Sequence, residues 1–184
     1  MAVLDDILKA NQSFIRPGKF APLPKNPQKQ IAIFTCMDTR LVDFLEPAMG
    51  IQRGEAKVIK NAGNTVIDPN GGVIRSLVAA IFMLGVEEVL VVGHKDCGMS
   101  SVDAPSLKAQ MIERGIDPQA IETLVPDLAQ WLGAFDHPEE NVERVVSVIR
   151  QSPLIPKNVP IHGLIFCPTD GHLEVVVEGY QQCK

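Results

Sequence analysis

Two short apolar runs constrain this chain more than any other feature. One reads Ile-Ala-Ile-Phe-Thr from residue 31 and ends at Cys36; the other reads Val-Leu-Val-Val-Gly from residue 89 and ends at His94. Both are rich in β-branched residues, neither alternates apolar with polar, and both are short. Such runs suit strands of a parallel sheet covered on both faces. A third run at 56–60 lies between them, and a helical stretch follows each of the first two in chain order. Strands alternating with helices predict an α/β fold on a mainly parallel sheet.

The remaining elements extend that frame. A helix is expected over 41–49, stopped by Gly50, and a strongly apolar one over 73–84, stopped at Gly85. Helices follow over 104–114, 118–134 and 138–151, the last opening on Pro138 and the Glu139–Glu140 pair. Residues 161–167 and 173–177 predict two strands joined by the turn Pro168-Thr169-Asp170-Gly171-His172, which adds an antiparallel edge. The expected order is 2-1-3-4 with that edge strand beyond, and helices on both faces make three layers. Ligands of open α/β sheets bind beyond the carboxyl ends of strands where the order reverses. This order brings the ends of the first and third strands side by side.

The amino-terminal thirty residues stand apart. Val3, Leu4, Ile7, Leu8 and Phe14 form one stripe of a helix over 3–14. Residues 16–30 hold four prolines and no acidic residue, which predicts an extended arm. A helix on such an arm either lies on a partner subunit or folds back on its own core. The chain reads as one domain, 1–184, with the helix and arm at 1–30 and the core at 31–184.

Composition excludes several classes. Charged residues make up 21% and hydrophobic ones 46%, with a net charge of -5 and no long basic run, so neither nucleic acid nor an anionic membrane is an expected partner. The longest apolar run, 77–84, is far short of the roughly 20 residues of a membrane span. No basic segment followed by an apolar one opens the chain, so a cytoplasmic location is expected. Four cysteines in this setting read as metal ligands or free thiols rather than disulfides.

Cys36-Met37-Asp38-Thr39-Arg40 and His94-Lys95-Asp96-Cys97 carry the chemistry at the strand ends. Two cysteines and one histidine are a donor set that zinc prefers, and three protein ligands leave a fourth position open, as catalytic zinc sites do. Asp38 is two residues from Cys36 and Arg40 two further on. A carboxylate held by a guanidinium fork stays ionised and fixed in orientation. The N–H of Gly98, next after Cys97, can donate to a substrate oxygen.

With Asn61-Ala62-Gly63-Asn64 between them and G-H-x-x-C-G-M from Gly93 to Met99, these motifs resemble the beta-class carbonic anhydrases of compact bacterial and archaeal type, over residues 31–178. The resemblance implies one Zn²⁺ per chain on Cys36, His94 and Cys97. It implies reversible hydration of carbon dioxide to bicarbonate and a proton by a zinc-bound hydroxide. It also implies a homodimer or a larger assembly of dimers. Asp38 then has two states: paired with Arg40, where it accepts a hydrogen bond from the nucleophile, or released onto zinc as a fourth ligand, which turns the enzyme off. Ala62 and Gly63 would line a narrow pocket for carbon dioxide. Two alternatives stay open: hydrolysis of CS₂ or COS on the same scaffold, and a non-catalytic zinc-binding or sensor domain with a fixed fourth ligand.

Other residues read more plainly. Cys167 is expected to be a buried thiol and Cys183 an exposed one in the tail. His137, His162 and His172 are candidates for moving protons but read as ordinary surface or strand histidines. Asn61 and Asn64 are expected to brace their loop through side-chain to backbone bonds, and Asp96 reads as a loop residue.

Overall fold

A computed structural model describes residues 2–15 and 20–182. Five strands, β1 (Ile31–Cys36), β2 (Ala56–Asn61), β3 (Glu88–His94), β4 (Ile161–Phe166) and β5 (Leu173–Val177), form one sheet in the order β2-β1-β3-β4-β5. The first four are parallel and β5 runs antiparallel to β4. The expected order and antiparallel edge are therefore both present. The order reverses at β1, whose two neighbours are β2 and β3. Cys36 pairs with Asn61, Thr35 with Val92, and His94 with Phe166, so the carboxyl ends of β1 and β3 are nearly level.

The apolar runs are continuous because both faces of the central strands are buried. Ala32, Phe34, Val89, Val91, Ile161 and Ile165 face a core closed by two helices, α3 (Gly72–Leu84) and α7 (Pro138–Gln151). Ile33, Val92 and Phe166 face a second core, closed by Leu41 and by Leu45 of the short helix α2 (Leu45–Ala48). Cys36 and Cys97 belong to this second core, so the candidate ligands are buried by it. Helices thus cover both faces, unequally.

Helix α7 comes unusually close to the sheet. A Cβ on Gly93 of β3 would lie 2.7 Å from a Val142 methyl, and one on Gly163 of β4 would lie 2.6 Å from the other. Two glycines on neighbouring strands make a notch, and Val142 drops into it. The first turn of α7 also carries Glu139 and Glu140, which suit its positive end.

The structure alters several expected elements. The 41–49 helix is instead a 3₁₀ turn, Thr39–Leu41, followed by the four residues of α2. Asp43 interrupts it, with φ of 55° in the left-handed region that a helix does not use. The 118–134 helix is two, α5 (Pro118–Leu124) and α6 (Leu128–Leu132). Pro126 removes an N–H and pushes Val125 out of helical backbone, and Asp127 caps the restart by accepting from the Gln130 N–H. Helix α4 (Ala104–Glu113) lies where it was expected.

Helix α1 (Val3–Phe14) also forms where expected, yet none of its residues is buried. Val3, Leu4, Ile7, Leu8 and Phe14 are all exposed, so it does not fold back on its own core. Residues 16–19 of the arm, and Cys183, lie outside the described residues. Residues 20–30 contain no helix or strand. They are tied down by backbone bonds from the Gln28 and Lys29 N–H groups to Gly54 and Glu55.

Candidate metal centre

Cys36 closes β1, His94 closes β3, and Cys97 follows three residues later. Their ligating atoms all lie within 4.8 Å of one another, and all three residues are buried. The two sulfurs are 3.9 Å apart, nearly twice a disulfide bond. Two sulfurs each ~2.3 Å from one tetrahedral ion would stand about 3.8 Å apart, so the spacing fits a shared metal. His94 Nδ1 lies 2.9 Å from the Lys95 carbonyl and donates to it. That assigns the proton to Nδ1 and leaves Nε2 with a free lone pair. Nε2 is buried and has no hydrogen-bond partner. A buried acceptor without a partner, beside two cysteine sulfurs, is what a metal would satisfy. The residues present fit a zinc ion.

The electrostatics favour thiolate. Contact with the Cys97 sulfur holds the Cys36 pKa well below the ordinary thiol range, against burial, with help from the N–H groups of Asp38 and Gly63. The Gly63 N–H is 3.3 Å from Cys36 Sγ. Cys97 is pushed up in turn by its bond to the Cys36 sulfur and by burial, while the Met99 N–H works the other way. The two sulfurs are within hydrogen-bond contact of one another, and both would have to be thiolates to hold a cation. Burial disfavours a charged His94, but contact with Cys36 and the Lys95 carbonyl raises its pKa overall. Proton loss from this pocket accompanies metal uptake.

Asp38 is turned toward Arg40. Nε of Arg40 donates to Asp38 Oδ1 at 3.0 Å, and Nη2 donates to Oδ2 at 2.9 Å. The backbone N–H of Arg40 also donates to Oδ1 at 2.9 Å, which makes Asp38 the cap of the 3₁₀ turn as well. The guanidinium bond, foremost, lowers the Asp38 pKa to about 2. Oδ2 is 3.7 Å from His94 Nε2. The carboxylate therefore flanks the ligand cluster without joining it.

Ala62, Gly63 and Asn64 form a 3₁₀ turn at the end of β2. Gly63 has φ of 67°, and a Cβ there would lie 2.9 Å from Met99 and 3.0 Å from Phe135. Glycine is needed for both backbone and space. Gly98 is different: it is exposed, and a Cβ would meet nothing within 4 Å. Among the described residues, no packing requires glycine there. Asn61 braces the loop as expected, donating to the Thr65 carbonyl at 2.8 Å and accepting from the Thr65 N–H at 3.1 Å.

The histidines are surface or strand residues, as read, and one expectation changes, at Cys167. His162 lies at the opposite, amino-terminal end of the sheet, where Nδ1 accepts from the Gly179 N–H and Nε2 is 3.1 Å from Glu88. It cannot serve protons at the strand carboxyl ends. His137 and His172 are exposed, at the start of α7 and in the β4–β5 turn. Cys167 is only half buried, since it leaves β4 into that turn.

Asn141 was not singled out by sequence reasoning. Its Nδ2 donates to the Gly63 carbonyl at 3.0 Å, and its Oδ1 accepts from Arg144 Nη2 at 2.7 Å. On the other side of its Cα, Gly63 faces Cys36 with its N–H. An asparagine on the buried stripe of α7, beside Val142, Val145, Val146 and Ile149, was the available signal. Asn141→Leu should destabilise the metal-free protein by about 1–3 kcal/mol, because it leaves the buried Gly63 carbonyl without its Asn141 donor. Urea unfolding measures this; an unchanged midpoint would contradict the bridge.

An open α/β sheet with a buried two-cysteine, one-histidine cluster at its switch point defines the class: a scaffold for a zinc enzyme. The carbonic anhydrase family profile matches residues 31–173, and the chain belongs to the beta-carbonic anhydrase family. It is 44% identical to beta-carbonic anhydrase isoform I of Trichomonas vaginalis, whose crystal structure superposes with a TM-score of 0.93 over 98% of this chain and 100% of that one. Beta-carbonic anhydrase 1 of Mycobacterium tuberculosis is 36% identical, across 96% of this chain and 99% of its own length. A carbon disulfide hydrolase of Acidithiobacillus thiooxidans is 32% identical, across 82% of this chain and 78% of its own.

Proposed function

We propose that the chain catalyses the reversible hydration of carbon dioxide to bicarbonate and a proton, with Cys36, His94 and Cys97 holding Zn²⁺. The observation that carries this reading is the buried ligand cluster with Asp38 drawn aside onto Arg40, which leaves a fourth direction free. A zinc ion there would supply the Lewis-acid charge that makes water a nucleophile. Asp38, ionised and an acceptor only, takes a hydrogen bond from that nucleophile and turns a lone pair toward carbon. Arg40 fixes the plane of the carboxylate. Gly98 offers its N–H to a substrate oxygen at the mouth of the site. Ala62 and Gly63 keep the adjoining wall small enough for a linear triatomic molecule.

Two thiolates would offset the charge of a bound cation, so it would acidify water less than at a three-histidine site. Asp38 stays ionised down to a pH of about 2 and adds no titration of its own near neutrality. Activity should therefore rise from neutral toward alkaline pH. A pH–rate profile already flat below neutrality would count against the proposed ligands.

A second reading, hydrolysis of CS₂ or COS, is favoured by the related carbon disulfide hydrolase. Stopped-flow kinetics of the zinc-loaded protein on CO₂, with COS and CS₂ assayed in parallel, separates the two. Fast CO₂ turnover is expected. Slow CO₂ turnover beside fast CS₂ turnover would reverse the order. A sensor domain would instead need a permanent fourth ligand, and Asp38 is engaged elsewhere. We also propose pairing of two chains: α1 presents an uncovered apolar stripe, and β2 is a sheet edge with Val58 exposed.

A further inference from the structure

Arg40 is held from two sides. Its Nε and Nη2 serve Asp38, on the turn after β1. Its Nη1 donates to Asp96 Oδ2 at 2.7 Å, and Nη2 donates to the Asp96 carbonyl at 2.6 Å, on the loop between His94 and Cys97. A guanidinium has five N–H donors, so Asp96 takes none that Asp38 needs. The Asp38 side chain is 15% exposed, that of Arg40 40%, and that of Asp96 88%. Asp96 is thus the outer anchor of a guanidinium whose inner face holds a nearly buried carboxylate.

Consider Arg40 without that anchor. It would contact only its own turn, and a long, partly exposed side chain gains freedom by leaving for water. Asp38 would lose the guanidinium and keep only the Arg40 backbone N–H on Oδ1, with Oδ2 already 3.7 Å from His94 Nε2. The nearest cationic destination would then be the metal site itself.

We propose that Asp96 is a positioning residue: by tying Arg40 to the loop that carries His94 and Cys97, it keeps Asp38 out of the fourth position of the ligand cluster. This rests on the metal assignment above and deepens it. It makes the loop between two ligands part of the device that keeps the site open.

Backbone geometry supplies clean variants. Asp96 has φ of 53°, a left-handed value that glycine and asparagine adopt readily. Asp96→Gly removes the carboxylate and leaves the backbone carbonyl, while Asp96→Asn keeps an oxygen that can accept from Nη1. The full chain loaded with Co²⁺ reports the fourth position through its visible spectrum as thiocyanate is added. Asp96→Gly should bind thiocyanate about fivefold more weakly than the unaltered protein, and Asp96→Asn about twofold, the scale of an exposed ion pair. In an Asp38→Ala background, where nothing competes, Asp96→Gly should leave thiocyanate affinity unchanged.

A general lesion in the loop would weaken binding with or without Asp38, and that result overturns the proposal. So does equal thiocyanate affinity in Asp96→Gly and the unaltered protein. If Asp96→Gly takes up no cobalt, Asp96→Asn decides by the same comparison, and an unchanged affinity sinks the idea. Absence of CO₂ turnover beside the expected thiocyanate shifts would refute the proposed reaction and leave this role of Asp96 standing.

Discussion

Cys36→Ala is expected to lose bound zinc and CO₂ hydration together. The loss of activity should far exceed the roughly 100-fold that removal of a supporting partner costs at a metal site. Cys36 is supported by the Gly63 N–H, which donates to its sulfur, and lies 3.9 Å from the Cys97 sulfur. Without it, His94 and Cys97 remain as two ligand atoms. The fold should survive. The residue is small and its side chain borders the open end of the second core, so the metal-free variant should unfold within about 2 kcal/mol of the metal-free parent. Zinc content after dialysis, read beside stopped-flow rates, tests the assignment. An equimolar zinc content with near-normal turnover would remove Cys36 from the ligand set.

Gly163→Ala should be the most damaging single methyl in the sheet. Its Cβ would lie 2.6 Å from Val142 Cγ1 and 3.2 Å from Val177. Neither neighbour is a flexible tip: Val142 sits fully buried on α7, and Val177 is held in β5. Overpacking of this kind costs about 1–3 kcal/mol, and here the helix must lift or the edge strand shift. Val142→Ala opens the space that the new methyl needs. The double variant should therefore be less destabilised than the sum of the two single ones, and urea unfolding of the metal-free proteins gives the coupling. An unaltered midpoint for Gly163→Ala would show that α7 moves freely over the sheet.

Much of the frame could be read from the chain because its physics is local. Residues 31–35 and 89–93 declare strands buried on both faces, and the ligands stand at their ends. Pro138 with Glu139 and Glu140 marks the start of α7 to the residue. The failures are of two kinds. Asp43 and Pro126 broke helices whose apolar periodicity continued across them. The rest is tertiary. Asn141 meets Gly63 across 78 residues, and Arg40 meets Asp96 across 56. No spacing rule within one element reports such contacts.

The notch formed by Gly93 and Gly163 reaches beyond stability. Val142 is seated in it, and the next residue toward the helix start, Asn141, holds the carbonyl of Gly63, the residue whose N–H faces Cys36. The depth of a groove in the middle of the sheet therefore gauges a hydrogen bond at its end. Transplanting the two ligand segments alone onto another parallel sheet would copy the donors and lose the gauge. A portable version of this centre needs the glycine pair and the first two turns of α7 as well.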